Sequence, residues 1–201
     1  MKKMSALDRI LLLLTGLLAA YQIVIGVEGA PPLSVWSYTI GFGVLLLAGL
    51  LLIIFGFEAL DNPYVVIVST IIPLSLSLGL VWEFLPGWRT VYLVFAVAGL
   101  TAVTLTRLFW PGKLATFTLA IVHGIAGLII FILPIALSAS QAVPWGFALV
   151  GLGGALIGLG GLLLSFLKAG KPILPQETIL TVLPGLLLLM TAAFVAGFSF
   201  V

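Results

Sequence analysis

The chain contains no cysteine, a single histidine and few charged residues, and each scarcity removes a class of function. Without cysteine it has no disulfide, no thiolate metal site and no cysteine nucleophile. Charged residues make up 7% of the chain and hydrophobic residues 63%, which lies far outside the range of soluble domains. The HExxH and GxSxG motifs are missing, and no pair of carboxylates falls within an apolar segment. These absences predict a protein that is not an enzyme.

The acidic and basic residues lie at the ends of the apolar segments. Proton pumps and ion-coupled carriers normally need ionisable groups near the middle of the membrane, so this distribution argues against both classes. The last segment has no lysine for a retinal Schiff base, which excludes a microbial rhodopsin. Basic residues at segment ends report membrane orientation, and they give no indication of a nucleic-acid partner.

The sequence does contain seven apolar segments that are long enough to cross a bilayer as helices. Turn residues and prolines set their approximate limits, which are 10–27, 35–57, 64–83, 90–110, 113–137, 144–168 and 178–201. We therefore predict an all-α integral membrane protein, a seven-helix bundle that forms one transmembrane domain over residues 1–201. We expect it in a prokaryotic inner or plasma membrane.

The basic residues predict the orientation of this bundle. With the N-terminus in the cytoplasm, all but one of the 8 Lys and Arg residues lie inside, namely Lys2, Lys3, Arg9, Arg107, Lys113, Lys168 and Lys171. Only Arg89 lies outside. This distribution agrees with the positive-inside rule, and adding or removing one helix would spoil the agreement. We predict that the N-terminus is inside and the C-terminus outside.

A faint internal repeat relates the two ends of the chain. One constant offset aligns Trp36 with Trp145 and Gly49 with Gly158, and after a short insertion Pro73 aligns with Pro184. The halves would be 1–84 and 113–201, joined by the fourth helix at about 88–110, in a parallel three-one-three arrangement. In layout alone this resembles SWEET-type sugar transporters, whose motifs are missing here, and a shared layout does not carry function.

The sixth segment is unusually rich in glycine. Gly151, Gly154, Gly158 and Gly161 fall on one face at 100° per residue, and a second stripe holds Gly146, Gly153 and Gly160. Each glycine inside a helix costs roughly 1 kcal/mol against alanine, so close helix contacts must offset the cost. We expect the other helices to pack around this segment, and we take the first stripe as the predicted packing site.

Prolines interrupt three of the predicted helices. Pro73, Pro134 and Pro184 each free a backbone carbonyl and predict a kink, which is either static or a hinge of a solute-binding site. Hydroxyl side chains in the same region either line a weakly polar path or bond back to their own helices, and they are Ser69, Thr70, Ser75, Ser77, Thr101, Thr104, Thr106 and Thr181.

His123 is the one candidate for a cofactor ligand. It lies ten residues into the fifth helix, roughly 15 Å along the axis from Lys113, and Gly124 and Gly127 flank it. One interpretation is an axial ligand to haem or a chlorophyll-type pigment, with the glycines making room for a flat ring. The other is an interhelical hydrogen bond, which we expect, together with no cofactor.

Two functions remain open from the sequence. The first is a non-catalytic subunit that packs among other membrane-protein subunits of a larger complex in the lipid bilayer. It fits the short loops and the missing catalytic set. The alternative is a small transporter or channel for an uncharged solute, which the repeat and the prolines would support.

Overall fold

In the computed structural model, which describes residues 3–168, 170 and 172–201, the chain folds into helices, and the described residues form no strand. Seven of these helices are long and apolar enough to cross a membrane. They are α1 (Ala6–Ile25), α2 (Pro32–Phe55), α3 (Pro63–Phe84), α4 (Arg89–Phe109), α5 (Lys113–Ala139), α6 (Ala148–Lys168) and α7 (Gln176–Phe198). Short 3-10 turns precede α3, α4 and α6, at Gly56–Asp61, Pro86–Trp88 and Trp145–Phe147. The predicted fold class, a multi-pass helical bundle, is confirmed.

The helix ends follow from local sequence chemistry. The Ser5 hydroxyl accepts from the Asp8 backbone and the Asp8 carboxylate accepts from the Ser5 backbone, so a capping box starts α1 at Ala6. Gly26 and Gly56 end α1 and α2 with φ of 66° and 70°, a left-handed conformation that favours glycine. The first helix therefore begins four residues before the predicted start at residue 10, because the cap lies further towards the N-terminus.

The helices form a ring in which α1, α2, α3, α5, α6 and α7 follow one another, and α7 packs against α1 to close it. The remaining helix, α4, lies outside this ring against α3 and α5. We call the end where α1 begins the N-terminal end of the bundle and the end where α7 finishes the C-terminal end. Odd-numbered helices run towards the C-terminal end. Even-numbered helices run back towards the N-terminal end, α2 and α6 as members of the ring and α4 outside it.

The glycine-rich α6 is not the central helix, contrary to the prediction. In its most apolar stretch 39% of the residues are buried, whereas the corresponding value for α3 is 56%. The reason is that α3 has α2, α4 and α5 packed around it, while α6 has its main contacts with α5 and α7. Glycines let a helix approach its neighbours closely, but they add little side-chain surface to a core.

The inside of the ring is filled by apolar side chains. Towards the C-terminal end, neighbouring aromatic rings from α2, α3, α7 and the turn before α6 lie with centroids 4.6 to 6.4 Å apart. We call these residues the aromatic cluster: Tyr38, Phe42, Phe84, Phe147, Phe194 and Phe198. Towards the N-terminal end the packing continues with the buried residues Leu12, Leu52, Phe57, Leu180 and Leu183.

The contacts of the two predicted halves correspond pair by pair. The α1–α2 contact matches α5–α6, α2–α3 matches α6–α7, and α7–α1 matches α3–α5. A duplication of three helices produces this set, but any six helices in a closed ring produce it too. The repeat therefore stays a prediction.

The basic residues are placed as the topology predicts. Arg9, Arg107 and Lys113 lie at the N-terminal end, and Arg89 begins α4 at the C-terminal end. Lys2 and Lys171 belong to the same set but lie outside the described residues. Which end faces the cytoplasm stays a prediction.

Candidate functional site

The predicted glycine stripe on α6 has a closed half and an open half. In the closed half, a Cβ on Gly151 would stand 2.7 Å from the backbone oxygen of Phe131, and one on Gly154 would stand 2.8 Å from the backbone carbon of Ile130. Both distances are below any ordinary contact and involve backbone atoms of α5, which cannot move aside cheaply. Any larger residue at these two positions would push α5 and α6 apart.

The other two glycines of the stripe meet nothing. No atom outside their own surroundings lies within 4 Å of a Cβ placed on Gly158 or Gly161. The same holds for Gly124 and Gly127 on α5, which lie one to two turns beyond the Phe131 contact and at the level of Gly158 and Gly161. Towards the N-terminal end, the described structure therefore leaves open space beside the glycines of both helices. We call these residues the glycine groove: Gly124, Gly127, Gly158 and Gly161.

The second stripe of α6 packs against α7. A Cβ on Gly153 would stand 2.5 Å from the Phe194 ring, and one on Gly160 would stand 2.6 Å from Leu186. On the facing side, a Cβ on Gly197 would stand 2.6 Å from the backbone nitrogen of Val150. Close approach of α6 and α7 therefore depends on glycines of both helices, and sequence reasoning missed Gly197.

All three predicted kink prolines are buried within their helices, Pro73 in α3, Pro134 in α5 and Pro184 in α7. Pro134 has no N–H for the carbonyl of Ile130, one turn earlier. Gly154 lies against this same peptide unit. The loss of one helical bond permits α5 to bend just where its contact with α6 ends.

Within the described residues, His123 does not make the interhelical hydrogen bond that the sequence led us to expect. The imidazole is half-buried and lies near the carbonyl of Leu119 in its own helix, but its Nδ1 is buried without a hydrogen-bond partner. Arg107 of α4 lies within electrostatic range of the ring. The expected interhelical hydrogen bond is thus missing from the part of the chain that the structure describes. Whether His123 binds a pigment stays a question for spectroscopy.

The hydroxyls named above bond back to their own helices. Each donates to a carbonyl three or four residues earlier, and they are Ser69, Thr70, Ser75, Ser77, Thr101, Thr104, Thr106 and Thr181. Ser77 also accepts a bond of 2.7 Å from the hydroxyl of Tyr92, which ties α4 to α3. These side chains therefore form no polar path across the bundle.

Two tertiary hydrogen bonds at the C-terminal end have no counterpart in the sequence analysis. The Tyr38 hydroxyl donates to the Glu83 carboxylate at 2.7 Å, and the buried Ser34 hydroxyl donates to the carbonyl of Gly79 at 3.0 Å. The Tyr38 ring covers Gly79 so closely that a Cβ there would stand 2.3 Å from it. These contacts join residues far apart in sequence on α2 and α3, so helical spacing gives no signal for them.

One cavity lies at each end of the bundle. A surface depression of about 420 Å³ is bounded by residues 141–145, between α5 and α6. A cleft of about 140 Å³ lies at the N-terminal end, between the turn after α2 and the facing ends of α6 and α7. Within the described ranges, no three His, Asp or Glu side chains converge as metal ligands.

The glycine groove with His123 is therefore the feature that the fold leaves without a role inside the chain. Comparison with family models, with curated proteins and with solved structures found no match.

Proposed function

We propose that this integral membrane protein is a non-catalytic subunit of a larger membrane assembly, and that a helix of a partner subunit packs into the glycine groove. The observation that carries the proposal is the open half of the α6 stripe. Four glycines on two adjacent helices face space that no described residue fills.

The energetics of glycine support this interpretation. Each glycine within a helix costs roughly 1 kcal/mol against alanine. For Gly151 and Gly154 the close contact with α5 offsets that cost, because only a hydrogen atom fits there. Gly158 and Gly161 gain no such contact within the chain. Small residues let helices from different subunits approach closely, which is how helices associate in lipid.

His123 adds a polar group to the same region. It lies on α5 beside Gly124 and within two turns of Ile130, and its Nδ1 has no partner. A buried polar atom without a hydrogen bond costs about 1–3 kcal/mol. A hydroxyl, an amide or a carbonyl on a partner helix would bond the half-buried imidazole and fix the partner's position along the groove.

The alternative, transport of an uncharged solute, has less support. The aromatic cluster and the leucines below it fill the inside of the ring. The hydroxyls that might line a path bond to their own helices. The prolines remain the main argument for a moving part, and a static kink is the simpler interpretation of each of them.

A site-specific crosslink tests the subunit proposal directly, because the chain has no native cysteine. Gly158→Cys carries a photoreactive maleimide into the groove in native membranes. The matched control is Val94→Cys on the outer face of α4, a residue that is 62% exposed. We expect one distinct polypeptide adduct from Gly158→Cys and lipid adducts alone from Val94→Cys.

Lipid adducts alone from both positions would contradict the proposal. The transporter alternative would instead be supported by a chain that is monodisperse when purified alone and moves an uncharged solute in liposomes. Mass spectrometry of the crosslinked band identifies the partner in the same experiment.

A further inference from the structure

Arg107, in the last turn of α4, has no ion-pair partner among the described residues. Its side chain is half-buried, and its Nε is buried with no hydrogen-bond partner. Arg89, at the other end of the same helix, has partners for its side chain. Its Nε donates to the carbonyl of Trp82 at 2.6 Å, and its guanidinium lies 5.5 Å from the centre of the Trp82 ring.

The helices packed against α4 carry no acid near Arg107. Glu58 and Asp61 lie at the same end, in the turn before α3, and neither forms an ion pair with Arg107. The sequence has no Asp or Glu between Glu83 and Glu177, so α4, α5 and α6 contain no carboxylate. The other helix packed against α4 is α3, whose one acid is Glu83 at the opposite end, where it accepts from Tyr38. The nearby α5 contributes only Lys113 and His123, which add no negative charge.

The surroundings of Arg107 place it at the level of lipid headgroups. Phe109 and Trp110, which follow it, are 66% and 59% exposed, and exposed aromatic residues concentrate at the membrane interface. Lys113 is exposed at the first residue of α5, across the short turn. Gly112 precedes it and offers no side-chain cap, so the first N–H groups of α5 also face this region.

We propose that Arg107 and Lys113 bind the phosphate of an anionic phospholipid in the leaflet at the N-terminal end. A guanidinium donates two parallel hydrogen bonds to phosphate oxygens, whereas a lysine acts as a point charge. The lipid supplies the negative charge that α4, α5 and α6 lack. Its acyl chains lie along the exposed apolar faces of α4 and α5. The inference is independent of the partner proposed for the glycine groove.

Native mass spectrometry of the purified, delipidated full chain tests this site. We expect phosphatidylglycerol to be retained at one copy in preference to phosphatidylcholine. Arg107→Gln should weaken phosphatidylglycerol binding about fivefold or more, the effect of removing one basic residue at an anionic surface. Arg89→Gln is the matched control, and it should leave binding unchanged because Arg89 lies at the other end and is already paired.

A second variant and a soluble competitor keep the test decisive. Should Arg107→Gln fail to fold, Lys113→Gln should still weaken the same binding, because Lys113 is exposed and its loss leaves the packing intact. Inorganic phosphate at millimolar concentration should not displace the lipid, and displacement would show a site for a soluble anion instead. Equal retention of both lipids, or equal binding by the wild type and the two variants, would overturn the proposal.

Discussion

The two halves of the contact between α5 and α6 carry the same residue type on α6 and yet differ completely. Towards the C-terminal end, Gly151 and Gly154 touch the backbone of α5. Towards the N-terminal end, a Cβ placed on Gly158 or Gly161 would have no described atom within 4 Å. The difference lies in what α5 presents. The closed half sets glycines against Ile130, Phe131 and Ile135, and the open half sets them against Gly124 and Gly127.

Packing needs a large side chain to enter the space that a small one leaves. Where both helices carry glycine, no side chain fills the space, and contacts between the helices are forfeited. Pro134 lies within the closed half. The carbonyl that it leaves without a helical bond, that of Ile130, lies at the edge of this half, where α5 can bend. A glycine stripe therefore marks a place for close approach, and the facing helix decides whether this chain or another molecule occupies it.

The largest expected contrast is an all-or-none difference in labelling between the two ends of this contact. Cysteine at Ser140, beside the closed half, should react with a membrane-impermeant maleimide from outside, and cysteine at Asp61, at the N-terminal end, should not. Both positions are exposed. Ser34, in the first turn of α2, is unsuitable for labelling because it is buried. Reversed reactivity would show that the open half faces the outer side.

Within the closed half, Gly154→Leu should prevent folding or lower the stability of the purified chain by roughly 1–3 kcal/mol, the cost of overpacking. The reason is the 2.8 Å between a Cβ at this position and the backbone of α5. Thermal unfolding in detergent gives the measurement. A Gly154→Leu protein as stable as the wild type would show that α5 and α6 do not touch there.

Within the open half, Gly158→Leu should leave the stability of the purified chain unchanged or raise it by up to about 1 kcal/mol, because leucine is a better helix former than glycine and meets no described atom there. In native membranes the same variant should lose its crosslinked or co-purifying partner, because the leucine fills the groove. Blue native electrophoresis of solubilised membranes shows the loss as a shift to lower mass. A Gly158→Leu chain that unfolds like Gly154→Leu would remove the distinction between the two halves.

Much of the fold was predictable because prolines, glycines and charges mark the ends of the apolar segments. The α3 and α5 helices begin within a residue or two of the predicted positions, at Pro63 and Lys113. The early start of α1 was also readable, since the Ser5–Asp8 capping box is present in the sequence. These helix starts depend on residues that are neighbours in the sequence, so they can be read from it directly.

Which glycines of the stripe are covered by α5 was not predictable in the same way. Helical spacing puts Gly154 and Gly158 on one face, but only the path of α5 shows that one is covered and the other open. The bond from Tyr38 to Glu83 likewise depends on the relative level of α2 and α3. Such features depend on how whole helices pack, which no spacing within one helix encodes.

The smallest expected effect, and the one that bears on the chemistry beside the open half, concerns His123. Because its Nδ1 has no partner within the described chain, His123→Leu should leave the purified chain equally stable or raise its stability by up to about 1 kcal/mol. Gln22→Leu provides the contrast. Gln22 also has a buried oxygen without a partner, but its Nε2 donates to the carbonyl of Gly26 at 2.7 Å, so its loss should destabilise the chain.

In the native assembly the sign for His123→Leu should reverse, because the imidazole would then lose its bond to the partner helix. The visible absorption of the natively purified complex separates this role from ligation of a pigment. We expect no band that depends on His123. A band that vanished in His123→Leu, while the protein stayed inserted, would identify a ligand to haem or a chlorophyll-type pigment. It would also place the assembly among those that transfer electrons or excitation energy, with the glycines beside His123 making room for the ring.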